Sequence, residues 1–277
     1  MEWNKKVAVV TGAGGVLLSA YAKELASKGV KVAVLSRELK HAQRTADEII
    51  SAGNTAKAYG CDVLDKGNLI KTEEQIYKDF GQYHILINGA GGNMPNASTT
   101  NETFATNDLD DPKVRSFFSL DSNEIGRVFS VNFLGTFIVT QLFAKRMLGV
   151  KGAVIINFSS MSAQCPMTKV LGYSAAKAAI DNFTKWLAVY FAQQGVRVNA
   201  VAPGFFLTNQ NKTLLTNPDG SLTERSHKII GHTPMRRFGQ VDDLFGTLSW
   251  LCDEDASGFV TGSIIAVDGG FQAYSGV

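Results

Sequence analysis

Three cysteines in 277 residues, Cys61, Cys165 and Cys252, are too few and too widely spaced for a disulfide framework, and no CxxC pair suggests a metal site. They read as reduced, buried thiols, and no metal is expected. An excess of one charge is also missing. The 27 basic and 25 acidic side chains leave a formal net charge of +2, with no basic run of the kind that grips nucleic acid. Nucleic acid is therefore not an expected partner. No apolar run approaches the roughly 18 residues of a spanning helix. The opening "MEWNKKVAVV" lacks the charged, apolar and small-residue order of a signal peptide. The expectation is a cytoplasmic protein with no membrane partner. Linkers, repeats and low-complexity tracts are absent as well, so residues 1–277 are expected to form one domain.

Short β-branched runs alternate with longer helical stretches, the pattern of a doubly wound parallel sheet with helices on both faces. Strands are predicted at Lys6 to Val10, Lys31 to Leu35, Thr55 to Tyr59, Ile85 to Ile87, Ala153 to Phe158, Val196 to Val201 and Ser263 to Val267. Helices are predicted at Gly15 to Lys28, Leu39 to Ala52, Asp65 to Phe80, Asp121 to Leu148, Tyr173 to Gln194 and Val241 to Cys252. Two segments, 92–120 and 205–239, break the rhythm and read as irregular covers over a site.

Glycine is abundant, and it clusters after the first strand in "VVTGAGGVLLS", Val9 to Ser19. Glycines at a strand-to-helix junction bring backbone N–H groups and a helix N-terminus to a pyrophosphate. Read as GxGxxG, the loop supplies Gly12 and Gly14 but then Leu17, so a plain βα turn remains the alternative. Its place in the first βα unit favours a dinucleotide. At the end of the second strand, Ser36 and Arg37 stand where an acid would hold the ribose hydroxyls of NAD. Arginine there accommodates a 2′-phosphate, so NADP is the expected coenzyme and NAD the alternative.

"GYSAAK" sets Tyr173 and Lys177 one helical turn apart on one face. A phenol that exchanges protons near neutrality needs a cation to stabilise its phenolate, and Lys177 is placed to supply one. Ser160, beyond the fifth strand in "INFSSMS", offers a hydroxyl for a substrate oxygen, with Ser159 as its rival.

With these residues in view, the chain resembles the short-chain dehydrogenase/reductase family from Lys6 to about Gly270. The likeness is carried by Thr11-Gly12, "CDV" at 61–63, "NGAG" at 88–91, "VNFLG" with Asn132, Ser160, the Tyr173/Lys177 pair, "RVNAVAPG" ending at Gly204, and "VDGG" at 267–270. It implies a single Rossmann-type α/β domain, an NAD(P)-dependent oxidoreductase acting on CH–OH groups, and a homotetramer packed through helices near 121–148 and 173–194. By the same resemblance, Tyr173 is the general acid or base, Lys177 lowers its pKa and holds the nicotinamide ribose, and Ser160 orients the substrate. Asn132 holds a relay water by bending its helix. Thr11, Gly12, Gly15, Val16 and Leu17 cradle the coenzyme, Ser36 and Arg37 select it, and Asp62 and Val63 meet the adenine. Asn88, Gly89 and Ala90 line the adenosine ribose, while Pro203, Gly204, Phe206 and Thr208 clasp the nicotinamide amide. The glycine loop is one residue shorter than the family's usual TGxxxGxG, which puts Leu18 where a small residue normally packs and predicts a slight outward shift of the helix.

Within the family, "GAGGVL" and "NGAGGNMPNAS" resemble a branch of D-mannonate oxidoreductases, which interconvert D-mannonate and D-fructuronate. That resemblance implies a small-molecule sugar-acid substrate. Asn93, Asn96, Ser98 and Thr99 could pair its hydroxyls, and Arg115, Lys169, Arg236 or Arg237 its carboxylate, each being otherwise an ordinary solvated group. His232 reads as structural. A gluconate-type or 3-oxoacyl ketoreductase is the alternative within the family, and a non-catalytic dinucleotide sensor the alternative outside it.

Overall fold

The computed structural model describes residues 2–208 and 215–276. Seven parallel strands form one sheet in the order β3-β2-β1-β4-β5-β6-β7. They are β1 Val7–Thr11, β2 Lys31–Ser36, β3 Ala56–Gly60, β4 Ile85–Asn88, β5 Val154–Phe158, β6 Arg197–Pro203 and β7 Ile264–Val267. The central strands are apolar at nearly every position because helices cover both faces. Ala8 and Val10 of β1 pack on one face with Leu25 and Ile49; Val7 and Val9 pack on the other with Leu69 and Phe143. This alternation is the period of two that a strand imposes.

The helices are α1 Val16–Ser27, α2 Leu39–Ser51, α3 Lys66–Phe80, α4 Ser122–Phe129, α5 Gly135–Phe143, α6 Leu171–Phe191, α7 Glu224–His232, α8 Phe245–Cys252 and α9 Glu254–Ser257. The chain winds outward from β1 to β3 and then returns to place β4 on the other side of β1. A crevice therefore opens beyond the carboxyl ends of β1 and β4, where ligands bind in doubly wound sheets.

Two departures from the expected elements bear on the site. The single helix predicted over 121–148 is interrupted by a π-helical turn, Ser130–Leu134, between α4 and α5. By length and composition the whole segment Ser122–Arg146 could cross a membrane, yet here it packs against α6, α3 and β4. The expected irregular segment 205–239 contains α7, whose first turn is capped by the Thr223 side chain accepting from the Ser226 N–H. Its residues 209–214 lie outside the described residues. Segment 92–120 holds only short 3₁₀ turns, such as Pro95–Ala97 and Thr106–Leu109.

Candidate active site

The crevice is a cavity of about 510 Å³. The β1–α1 loop lines it with Thr11, Gly12, Gly15, Val16 and Leu17, the end of β2 with Ser36 and Arg37, the end of β3 with Asp62 and Val63, and the end of β4 with Gly89 and Ala90. Gly15 precedes α1 and offers no side-chain cap, so the first N–H groups of that helix face the cavity without a protein partner from the cap. Orphan donors at a helix N-terminus suit an anion, and a dinucleotide pyrophosphate fits this cradle.

Gly12 has φ +72°, and a Cβ there would fall 2.7 Å from the Gly89 carbonyl oxygen. The loop therefore presses on the end of β4 itself as well as opening toward a ligand. Thr11 accounts for part of that contact: its hydroxyl donates to the Ile87 carbonyl and accepts from the Gly89 and Ala90 N–H groups at 3.1 and 3.3 Å. Leu18, 6% exposed, fits against the end of β4 because Gly89 has no Cβ to oppose it.

Asn88 differs from its expected role. Its amide turns into the core and donates to Thr140 Oγ1 and Asn157 Oδ1, both at 2.9 Å, so the side chain ties β4 to β5 and α5 rather than lining the ribose site. Phe206 differs too: its ring packs on Gly239 and lines a separate cavity of about 340 Å³ with Arg237 and Asp243. Gly204 donates to the Val267 carbonyl at 3.0 Å, joining the end of β6, where Pro203 is the last residue, to β7. Thr208 is half-buried beyond them. Gly14 of the glycine loop and Glu38, two residues beyond Ser36, also line the cleft, as does His41 in the first turn of α2, which the sequence does not single out.

The reacting end is assembled from β5, α6 and the π turn. Ser159 and Ser160 follow β5 and diverge. Ser159 donates to the buried Asp181 carboxylate, whereas Ser160 accepts from the Ser162 N–H and from the Ser162 hydroxyl and lies close enough to the Tyr173 phenol to act on it. Of the two serines, Ser159 is thus committed to α6. Lys177 is 6% exposed, donates to the Phe158 carbonyl at 2.7 Å, and lies 5.5 Å from the Tyr173 ring centre. Burial pushes its ammonium down to about 8, with Asp181 opposing.

Burial raises the Tyr173 pKa above its ordinary value, and the Ser160 hydrogen bond is what pulls it back. Asn132 is fully buried in the π turn. Its Nδ2 donates to the Gly92 and Val128 carbonyls, both at 2.8 Å, and its Oδ1 accepts from the Gly92 N–H. The side chain thus fastens the start of the 92–120 cover to the helix.

The expected substrate groups are mostly engaged elsewhere. Arg115 donates to the Pro95 and Ser98 carbonyls and clamps its own loop. Asn93 donates to Ser98 Oγ, and Thr99 to the Asn101 carbonyl. Arg236 donates to the Gly231 carbonyl, and Arg237 forms a two-pronged pair with Asp243. Lys169 sits at φ +72°, its carbonyl held by the Thr99 N–H. Polar groups of a surface loop satisfy one another first, and these do.

A parallel sheet with a nucleotide crevice at its switch point, and a tyrosine, a serine and a buried lysine beyond β5, define a dinucleotide-dependent oxidoreductase. The pattern of the short chain dehydrogenase family matches residues 6–219, and the chain belongs to that family. It is 55% identical over 272 residues to the uncharacterized oxidoreductase UxuB of Bacillus subtilis, covering 98% of this chain and 96% of that one. It is 31% identical to a Synechocystis 3-oxoacyl-[acyl-carrier-protein] reductase, over 97% of this chain and 98% of that one. A Haemophilus influenza protein provisionally assigned as a D-mannonate oxidoreductase, solved with bound NAD, superposes with a TM-score of 0.95 at 50% identity, covering 99% of this chain and 97% of that one.

Proposed function

We propose that this oxidoreductase interconverts a polyhydroxylated sugar acid and its keto form, D-mannonate and D-fructuronate being the pair, with Tyr173 passing the proton. The observation that carries the chemistry is the meeting of Tyr173, Ser160 and Lys177 beside a cleft whose uncapped helix N-terminus fits a dinucleotide. The 50% identity to a structure provisionally assigned that activity supports the substrate class.

The nicotinamide, when bound, supplies or accepts the hydride. The chain's own residues supply position and proton. Ser160 donates to or accepts from the substrate oxygen and holds it within reach of the phenol. Tyr173 gives its proton to that oxygen on reduction and takes one back on oxidation. Lys177, anchored on the Phe158 carbonyl, keeps a positive charge beside the phenolate that forms. Asn132 positions the Gly92 backbone at the edge of the site.

Ser36 and Arg37 with no acid at the end of β2 support NADP, whereas the Haemophilus protein carries NAD. We place the enzyme in the cytoplasm as a homotetramer. The exposed Phe137 of α5 and Trp186 of α6 support packing between subunits through those helices. Following reduced nicotinamide by absorbance across sugar acids, aldonates and 3-oxoacyl thioesters, with both coenzymes, tests the whole reading. Turnover of a 3-oxoacyl thioester well above any sugar acid would replace it, and coenzyme binding without turnover of any carbonyl would make the protein a sensor.

A further inference from the structure

A second cavity, of about 370 Å³, lies between α7 and the segment that follows the Ser160 turn. Cys165, Pro166, Met167 and Thr168 form one wall, with Phe205 and Phe271 at the side. It is joined to the reacting end by both of its neighbours in the chain. The Cys165 N–H donates to the Met161 carbonyl in the turn capped by Ser160, and Phe205 directly follows the Gly204 that closes β6 against β7. The volume lies in the range of small-molecule sites, roughly 300–1,000 Å³.

The opposite wall is one face of α7. Arg225, Lys228, Ile229 and His232 stand at i, i+3, i+4 and i+7 and all line the cavity. Lys228 is shared between Glu102 at 3.7 Å and Glu224 at 3.8 Å, so its charge is largely balanced. Arg225 has no acidic or carbonyl partner among the described residues. His232 Nδ1 donates to the Lys228 carbonyl at 2.9 Å, which in the neutral ring leaves Nε2 as an acceptor for a hydroxyl. An apolar floor, one unmatched guanidinium and a fixed imidazole are the complement of a chain bearing hydroxyls with a carboxylate at one end.

We propose that this cavity receives the acid end of the substrate and that Arg225 binds its carboxylate; the assignment rests on the sugar-acid reading above. It gives the carboxylate a cation that Arg115, Arg236 and Arg237 do not offer, since each of those is already paired. The Glu102–Lys228 contact runs from the 92–120 cover to α7 and closes one side of the cavity.

Two readouts test it. Kinetically, Arg225→Gln raises KM for the sugar acid about 10- to 100-fold, the loss expected for one charged hydrogen bond, while leaving the neutral ketose of the same hydroxyl pattern unaffected. Arg225→Lys recovers part of the difference. Chemically, Cys165 lines the cavity and the other two cysteines are buried, so alkylation reports on this site. The rate ratio of iodoacetate to iodoacetamide at Cys165 falls in Arg225→Gln, and D-gluconate protects the wild type where mannitol does not. An unchanged KM with an unchanged alkylation ratio overturns the site even if sugar acids are turned over. Should the wild type turn over no sugar acid, the proposed function falls, and the alkylation ratio and gluconate protection still decide whether the cavity binds a carboxylate.

Discussion

Replacing Gly89 by alanine probes the fit between the nucleotide loop and the sheet at its tightest point. A methyl on Gly89 falls 2.6 Å from Leu18 Cγ and 2.9 Å from each of its Cδ atoms. Leu18 is 6% exposed on the first turn of α1, so it has no solvent to swing into, and accommodating the extra carbon costs about 1–3 kcal/mol. Leu18→Ala alone opens a cavity and costs about 2–5 kcal/mol. In the double variant the new methyl occupies part of that cavity, so the combined loss falls short of the sum by about 1–2 kcal/mol, as is usual for residues in contact. Denaturant unfolding of the four proteins measures the cycle, read from midpoints at constant slope. Coenzyme dissociation constants follow the same pattern, because Gly89 lines the cleft: weakened in Gly89→Ala and partly restored in the double variant. Additivity within about 0.5 kcal/mol would refute the claim that Leu18 is accommodated by the missing Cβ.

Tyr173→Phe removes only the phenolic hydroxyl and lowers turnover about 10²- to 10⁴-fold, with the coenzyme dissociation constant within a few-fold of wild type; stopped-flow and fluorescence titration measure the two separately. Arg37→Asp shifts the ratio of kcat/KM for NADP over NAD toward NAD by tenfold or more, and an unchanged ratio removes Arg37 from coenzyme selection. His84 accepts from the Val7 N–H, and its pKa is lowered from 6.5 to about 4 by burial and then by Lys6. Between those values the unfolded chain binds a proton that the native one refuses, so stability is lost as pH falls from 6.5 toward 4. With allowance for its partial exposure the loss is about 1–2 kcal/mol, and His84→Gln flattens that limb of a midpoint-against-pH curve.

The strands were legible because their side chains alternate between two covered faces, and the loop glycines because a backbone must approach something there. Tyr173, Lys177 and Ser160 were legible through their spacing and order. What spacing does not carry is the identity of a distant partner. Asn88 reads equally well as a ribose contact or as a tie to Thr140 and Asn157, and only the register of β4 against β5 decides. Arg115 likewise reads as a free cation until the loop folds and presents it with the Pro95 and Ser98 carbonyls. The π turn at Ser130–Leu134 is a single extra residue inside one long apolar run, too local a change for a periodicity read over several turns to place. Helix α7 was hidden because its buried positions are few, Ser226 and Ile229, and Ile229 packs only in a small separate cluster with Leu215 and Phe238.

The electrostatics at Tyr173 follow from a contest that sequence spacing alone cannot weigh. A unit positive charge 5.5 Å from the ring centre favours the phenolate. Burial acts in the opposite direction on both groups, raising the phenol and pushing the ammonium down to about 8. In the protein by itself the phenol therefore keeps its proton at neutral pH, while the lysine, still mostly charged there, has its hydrogen bond committed to the Phe158 carbonyl. A protonated phenol is the form needed to donate to a carbonyl oxygen on reduction. For oxidation the phenolate must be stabilised, so rates in that direction should rise with pH more steeply than rates of reduction fall, and Lys177→Met should push the alkaline limb of the oxidation profile upward in pH. A profile whose midpoint stays put in that variant would mean that the ammonium serves only as an anchor on β5 and that Ser160 alone tunes the phenol.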